Sequence, residues 1–144
     1  MNTKLLVAAL AGGVTAFLLG WLLFGMLLMG YYESHMIHYE GLMKGEGEMN
    51  LGLMFCSNLL FATALAWVCQ RGGVNTLVGG VITGATLGFL FFASVDLGFM
   101  AMMNYFSDST IVLVDVLANT AWAAGIGAVV GLVLGWGKKP VAAV

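Results

Sequence analysis

The sequence predicts an all-α membrane fold: a single domain over residues 1–144, arranged as a four-transmembrane-helix bundle built from two tandem two-helix repeats. Three observations carry this prediction. Of the 144 residues 61% are hydrophobic and 8% charged, with a mean hydropathy of +1.00. That leaves too little polar surface to cover a soluble globule. Four long apolar runs, at about 5–32, 51–69, 76–103 and 111–136, are separated by polar breaks. Within three of these runs small residues recur at every fourth position, the spacing that lets helices approach closely in lipid.

The first run, LLVAALAGGVTAFLLGWLLFGMLLMGYY, carries no charge. As a helix it reaches roughly 40 Å, more than a bilayer core of about 30 Å requires. Ala8, Gly12, Ala16 and Gly20 share one of its faces. The preceding MNTK resembles the start of a signal peptide, but the run is too long and no small-x-small site follows it, so an uncleaved span is expected. Residues 33–50 hold both histidines and four of the seven acidic residues, which places them in water or among headgroups. The second run closes on Gln70, Arg71, Gly72 and Gly73, a tight polar reversal. Gly80, Gly84 and Gly88 form a stripe on the third run and Gly127, Gly131 and Gly135 another on the fourth, while Leu87 is expected to face lipid or looser packing. Between these two runs, Asp108, Ser109 and Thr110 are candidate helix caps. Lys138, Lys139 and Pro140 end the last helix. Cys56 and Cys69 lie on one predicted helix, about 20 Å apart, and so cannot pair.

Charge bias predicts orientation. Lys4, Arg71, Lys138 and Lys139 fall on one side of a four-span chain and only Lys44 on the other, so both termini should be cytoplasmic in a bacterial inner (plasma) membrane. Tyr31, Tyr32, Tyr39, Tyr105, Trp67 and Trp136 stand near span ends, where amphipathic rings prefer to sit.

The two halves align. Gly20-Trp-Leu-Leu-Phe-Gly25 matches Gly88-Phe-Leu-Phe-Phe-Ala93, and Gly12, Ala16 and Gly30 fall opposite Gly80, Gly84 and Gly98. The second run meets the fourth with Asn58 on Asn119 and Phe61 on Trp122. Two hairpins of like orientation about an axis along the membrane normal are implied.

The Gly12-Gly13 pair, Leu19-Gly20-Trp21-Leu22-Leu23-Phe24-Gly25, Ala64-Leu65-Ala66, Asn104-Tyr105-Phe106 and the 127–135 glycines give the chain a resemblance to small bacterial and fungal membrane proteins grouped as a domain of unknown function. That family has Trp-Tyr where this chain has Leu23-Phe24. The resemblance implies a four-span fold and brings no activity with it.

Groups able to do chemistry are few. Asp96 interrupts an apolar run near the outer end of the third span, and Asp115 stands near the outer start of the fourth. An ionisable residue in a span either reaches the headgroups or a neighbouring helix, or marks a binding path. Asn58 and Asn119 are expected to be interhelical hydrogen-bonding residues. Glu33, His35, His38 and Asp96 form a candidate metal set, because His-x-x-His on a helical extension puts both rings on one face, with a divalent cation at the outer loop as the ligand. No phosphate loop, nucleophile triad, haem motif or basic nucleic-acid patch is present, and no cofactor or catalysis is expected.

Three classes of function follow. The leading reading is a structural or accessory subunit whose partners are the lipid bilayer and either copies of itself, as a homo-oligomer, or a larger membrane complex. The alternative is a small transporter or channel with an outward-facing cation or proton site. Against it, residues 5–32 lack the glutamate of four-span drug exporters and the arginine expected early in fluoride-channel-like proteins. The third reading is a membrane metal-binding protein.

Overall fold

The computed structural model describes residues 3–137, so Lys138, Lys139 and Pro140 lie outside the described residues. Among those described, the chain is helical: α1 (Thr3–Leu22), a π turn (Leu23–Leu27), α2 (Met29–His35), a 3-10 turn (Glu46–Glu48), α3 (Leu51–Arg71), α4 (Leu77–Met102) and α5 (Ser109–Gly135). Four segments are long and apolar enough to cross a membrane: Thr3–Leu27, Leu51–Arg71, Leu77–Met102 and Ser109–Gly135. The protein is an integral membrane helical bundle.

Side chains set where the last three spans begin. Asn50 accepts the Leu53 amide at 3.0 Å, Thr76 accepts the Gly79 amide at 3.1 Å, and Asp108 accepts the amides of Thr110 and Ile111 at 2.6 and 3.2 Å. Each therefore satisfies backbone donors that the first helical turn leaves open. The reversal between α3 and α4 turns on Gly73, whose φ of 70° is left-handed and favours glycine.

The first run is not one helix. The Leu28 amide bonds to the Leu23 carbonyl at 2.8 Å, five residues back rather than four, and Leu28 then bends the chain before α2 starts. The sequence expectation of a continuous helix over 5–32 is corrected here: neither proline nor charge marks the break.

The helix α5 is the axis of the bundle, with eleven buried residues against four each on α3 and α4. Its most extensive partner is α4. It also packs on α1, which in turn packs on α3, whereas α3 and α4 meet only sparsely. The glycine stripes explain the tightest joint. A β-carbon placed on Gly80 would collide with the Gly127 carbonyl, and one on Gly84 with the Ala123 carbonyl. On α5, Gly127, Gly131 and Gly135 sit equally close to the carbonyls of Gly80, Thr76 and Asn75. The two backbones therefore touch with no side chain between them, a contact that gains dispersion where lipid offers no hydrophobic drive. The α1 stripe serves a different joint: Gly12 lies against Val130 and Ala62, Ala16 is fully buried, and Gly20 faces Trp122. Leu87 packs partly buried against the core, so of its two expected settings it takes looser packing rather than lipid.

The two ends of the bundle differ. Lys4 donates to the Trp136 carbonyl at 2.6 Å, and Arg71 lies over the Trp67 ring at 5.4 Å; we call this the basic end. At the opposite, acidic end the two loops are tied together. Met36 and Phe106 form an antiparallel bridge, in which Ile37 donates to the Tyr105 carbonyl and Ser107 to the His35 carbonyl, each at 3.1 Å.

Candidate functional site

Nearly two turns inside the acidic end, three elements bring polar side chains together. Asp96 comes from α4, Asp115 and Asn119 from α5, and Tyr32 from α2. The Tyr32 hydroxyl donates to Asp115 Oδ1 at 2.5 Å, and Asn119 Nδ2 donates to Asp115 Oδ2 at 2.9 Å. The Asp96 carboxyl neighbours that of Asp115. It is 5% exposed, and its Oδ2 has no hydrogen-bond partner. Asn119 is also buried.

Helical spacing stacks these groups over aromatic rings. Phe92 stands one turn below Asp96 on α4, and Trp122 follows Asn119 by three positions on α5. Their ring centroids are 6.0 Å apart, and Phe61 of α3 lies 4.8 Å from Trp122 and 6.1 Å from Phe92. Trp122 Nε1 donates to the Ala16 carbonyl at 2.8 Å, which satisfies the one polar atom of this layer's indole. Beneath it, Ala8, Ala62, Ala66, Ile126 and Val130 are fully buried. The carboxyls thus have an aromatic floor and an apolar core below that floor.

The predicted site residues separate into two groups. Asp96, Asp115 and Asn119 come together. The histidines do not join them: α2 ends at His35, and Met36 is extended, so His38 is off the helix and the i, i+3 face predicted for the pair does not form. His35 instead stacks on the Tyr31 ring with centroids 4.1 Å apart, and His38 Nδ1 lies 3.2 Å from the Met36 carbonyl. Glu33 is exposed. Among the described residues no three His, Cys, Asp or Glu side chains converge as a metal-binding group, so Glu33, His35, His38 and Asp96 are not one cluster. The asparagines are likewise corrected. Asn58 donates to Met54 and Asn119 to Asp115, each within its own helix, because a side-chain amide in a span most readily finds the carbonyl one turn back.

Tyr32 is the residue of this candidate site that sequence reasoning missed. It reads as an interfacial ring. The signal available was that a tyrosine hydroxyl beside an apolar span needs an acceptor, and Asp115 stands at the matching depth. Outside the spans, Asp108 has its carboxyl held below its ordinary value, first by the Thr110 amide, against an opposing effect of desolvation, and then by the Ile111 amide and the Thr110 and Ser107 hydroxyls. A shallow cavity of about 350 Å³ on the flank of α4 and α5 is lined by Ala85, Thr86, Phe89, Leu90 and Thr120, and the Thr120 hydroxyl donates to the Val116 carbonyl.

Compared with protein-family models, curated proteins and solved structures, the chain matches none.

Proposed function

We propose that this protein is a structural or accessory subunit of a membrane assembly, joining copies of itself or a larger complex. The fill of the bundle interior carries the reading. Ala8, Ala16, Ala62, Ala66, Ala123, Ile126 and Val130 have no exposed surface, and α4 and α5 touch backbone to backbone. Side chains occupy the places a water-filled path would need. Meanwhile Leu53, Leu60 and Trp67 on α3 and Leu90, Phe91 and Leu97 on α4 stay more than half exposed, a surface suited to lipid and to other spans.

In this reading the hairpins α1–α3 and α4–α5 descend from one two-helix repeat. Support comes from Phe61 and Trp122, which occupy matched positions and place their ring centroids 4.8 Å apart. The halves have diverged, since α1 packs along α5 while α3 and α4 barely meet. The basic end faces the cytoplasm of a bacterial inner membrane, on the bias of Lys4, Arg71, Lys138 and Lys139. The resemblance to the small-protein family of unknown function belongs to the same reading.

The test is the size of the particle in its own membrane. Extraction with a membrane-solubilising polymer, without detergent, followed by native mass spectrometry, is expected to give a multiple of the 15.2 kDa chain or the chain with another protein. A solitary chain carrying only lipid overturns the proposal.

A further inference from the structure

The buried carboxyls at the acidic end have a chemistry that a purely structural bundle does not need. Both oxygens of Asp115 act as acceptors, Oδ1 from the Tyr32 hydroxyl and Oδ2 from the Asn119 amide. That is the bonding pattern of an ionised carboxylate. Asp96 lies beside it and is 5% exposed, with Oδ2 shut off from solvent and unpartnered. As a second anion it would face a like charge while lacking a donor for one oxygen, which is among the costliest states a carboxylate can take in a membrane. As a neutral acid it escapes both penalties. The two carboxyls therefore accommodate one proton between them.

We propose that Asp96, with Asp115 and Tyr32 around it, is an exchangeable proton-binding site whose shorter way to water is the acidic end of the bundle. Loading places the proton on Asp96 and leaves the pair with one negative charge; release to water at that end leaves two. The titratable groups facing Asp96 are Asp115 from α5 and Tyr32 from α2, with Tyr31 behind Tyr32. The distance to water is short, since α4 ends at Met102, about 9 Å further along the helix. The opposite direction is closed by Phe92, Trp122 and Phe61, so the site is a cul-de-sac and not a relay across the membrane. A multivalent cation is a poor fit, because no third His, Cys, Asp or Glu among the described residues joins the pair. The inference stands apart from the subunit reading, and either can fail alone.

Infrared spectroscopy of the full chain in lipid nanodiscs tests it directly. Near neutral pH the native protein is expected to show the carbonyl stretch of a protonated carboxylic acid. The band should shift in D₂O and disappear as the pH is raised, with release of one proton per chain. Asp96→Asn should abolish it, and Asp96→Glu, which keeps an acid at the site should the amide variant not fold, should retain it at a changed frequency. Tyr32→Phe should move it by altering the hydrogen bonds of Asp115. Absence of the band in the native protein, its persistence in Asp96→Asn, or an unchanged frequency in Asp96→Glu overturns the assignment. So does a band that added sodium removes at constant pH, which would make the site one for a monovalent cation.

Discussion

Tyr32 and Asp115, 83 residues apart in the chain, meet in a 2.5 Å hydrogen bond that fastens α2 to α5. It is the side-chain bond holding the short α2 against a transmembrane helix, and its acceptor is a carboxylate. Hydrogen bonds to charged groups contribute about 1.5–3 kcal/mol. Tyr32→Phe should lower unfolding free energy by about that amount in bicelles and speed amide exchange over residues 29–37. Unchanged exchange there would mean that α2 is held by its loop contacts alone.

The α4–α5 joint should tolerate no side chain at its centre. Gly84 lies against the Ala123 carbonyl, which belongs to a helix and cannot retreat. Gly84→Leu should cost about 2–3 kcal/mol or more through forced separation of the backbones. Ile82→Leu, two residues away at a position 60% exposed, should stay within about 0.5 kcal/mol. Equal thermal stability of the two variants would remove the glycine stripe from the account.

Trp122 should act through its ring nitrogen as well as its bulk. Its Nε1 donates to the Ala16 carbonyl across the α1–α5 joint. Trp122→Phe keeps the aromatic layer with Phe61 and Phe92 and loses this bond, at a cost of about 1 kcal/mol. Trp122→Ala should cost about 3–5 kcal/mol, because the layer itself collapses. Denaturant titration of both variants separates the two contributions.

The start of α5 should weaken in acid. Asp108 caps it as a carboxylate, and its folded value lies below the unfolded one, so the stabilisation is fully present above the ordinary aspartate value of 3.8 and is lost as the pH falls through the lower, folded one. Asp108→Asn keeps a capping oxygen and removes the titration. The stability difference between the native protein and this variant should therefore shrink as the pH drops below about 4. A pH-independent difference would assign the cap no charge effect.

Orientation is open to labelling. In a chain with Cys56 and Cys69 replaced by serine, Ser34→Cys should react with an impermeant maleimide in intact cells and Asn75→Cys only after lysis. Labelling of position 75 alone from outside would invert the topology.

Much of this fold was legible because lipid imposes a simple rule: a span must be long, apolar and helical, and four runs satisfy it. The stripes also announced close joints, since glycine at every fourth position has few other uses in such a helix. Which stripe meets which was not legible. Gly80 and Gly84 pair with the α5 backbone, whereas Gly12 meets Val130 and Ala62, and nothing local distinguishes these outcomes. The candidate site was half legible. Asp96 and Asp115 stand out as acids in apolar runs, but their meeting depends on the relative depth of two helices. The Tyr32 bond depends in addition on a π turn that no proline or polar residue foretells. The histidines misled because their spacing implies a common face only while the helix lasts, and α2 stops at His35.

That π turn has a consequence for the length of the chain. Widening one turn from four residues to five places a surplus residue within Leu23–Leu27, and everything after it is rotated by about 100° relative to an uninterrupted helix. Tyr32 reaches Asp115 through that surplus residue and through the bend at Leu28 that follows it. The segment therefore carries a fixed residue count: a change of length within Leu23–Leu27 alters the direction from which the tyrosine arrives, although no side chain of the turn itself touches the carboxylate.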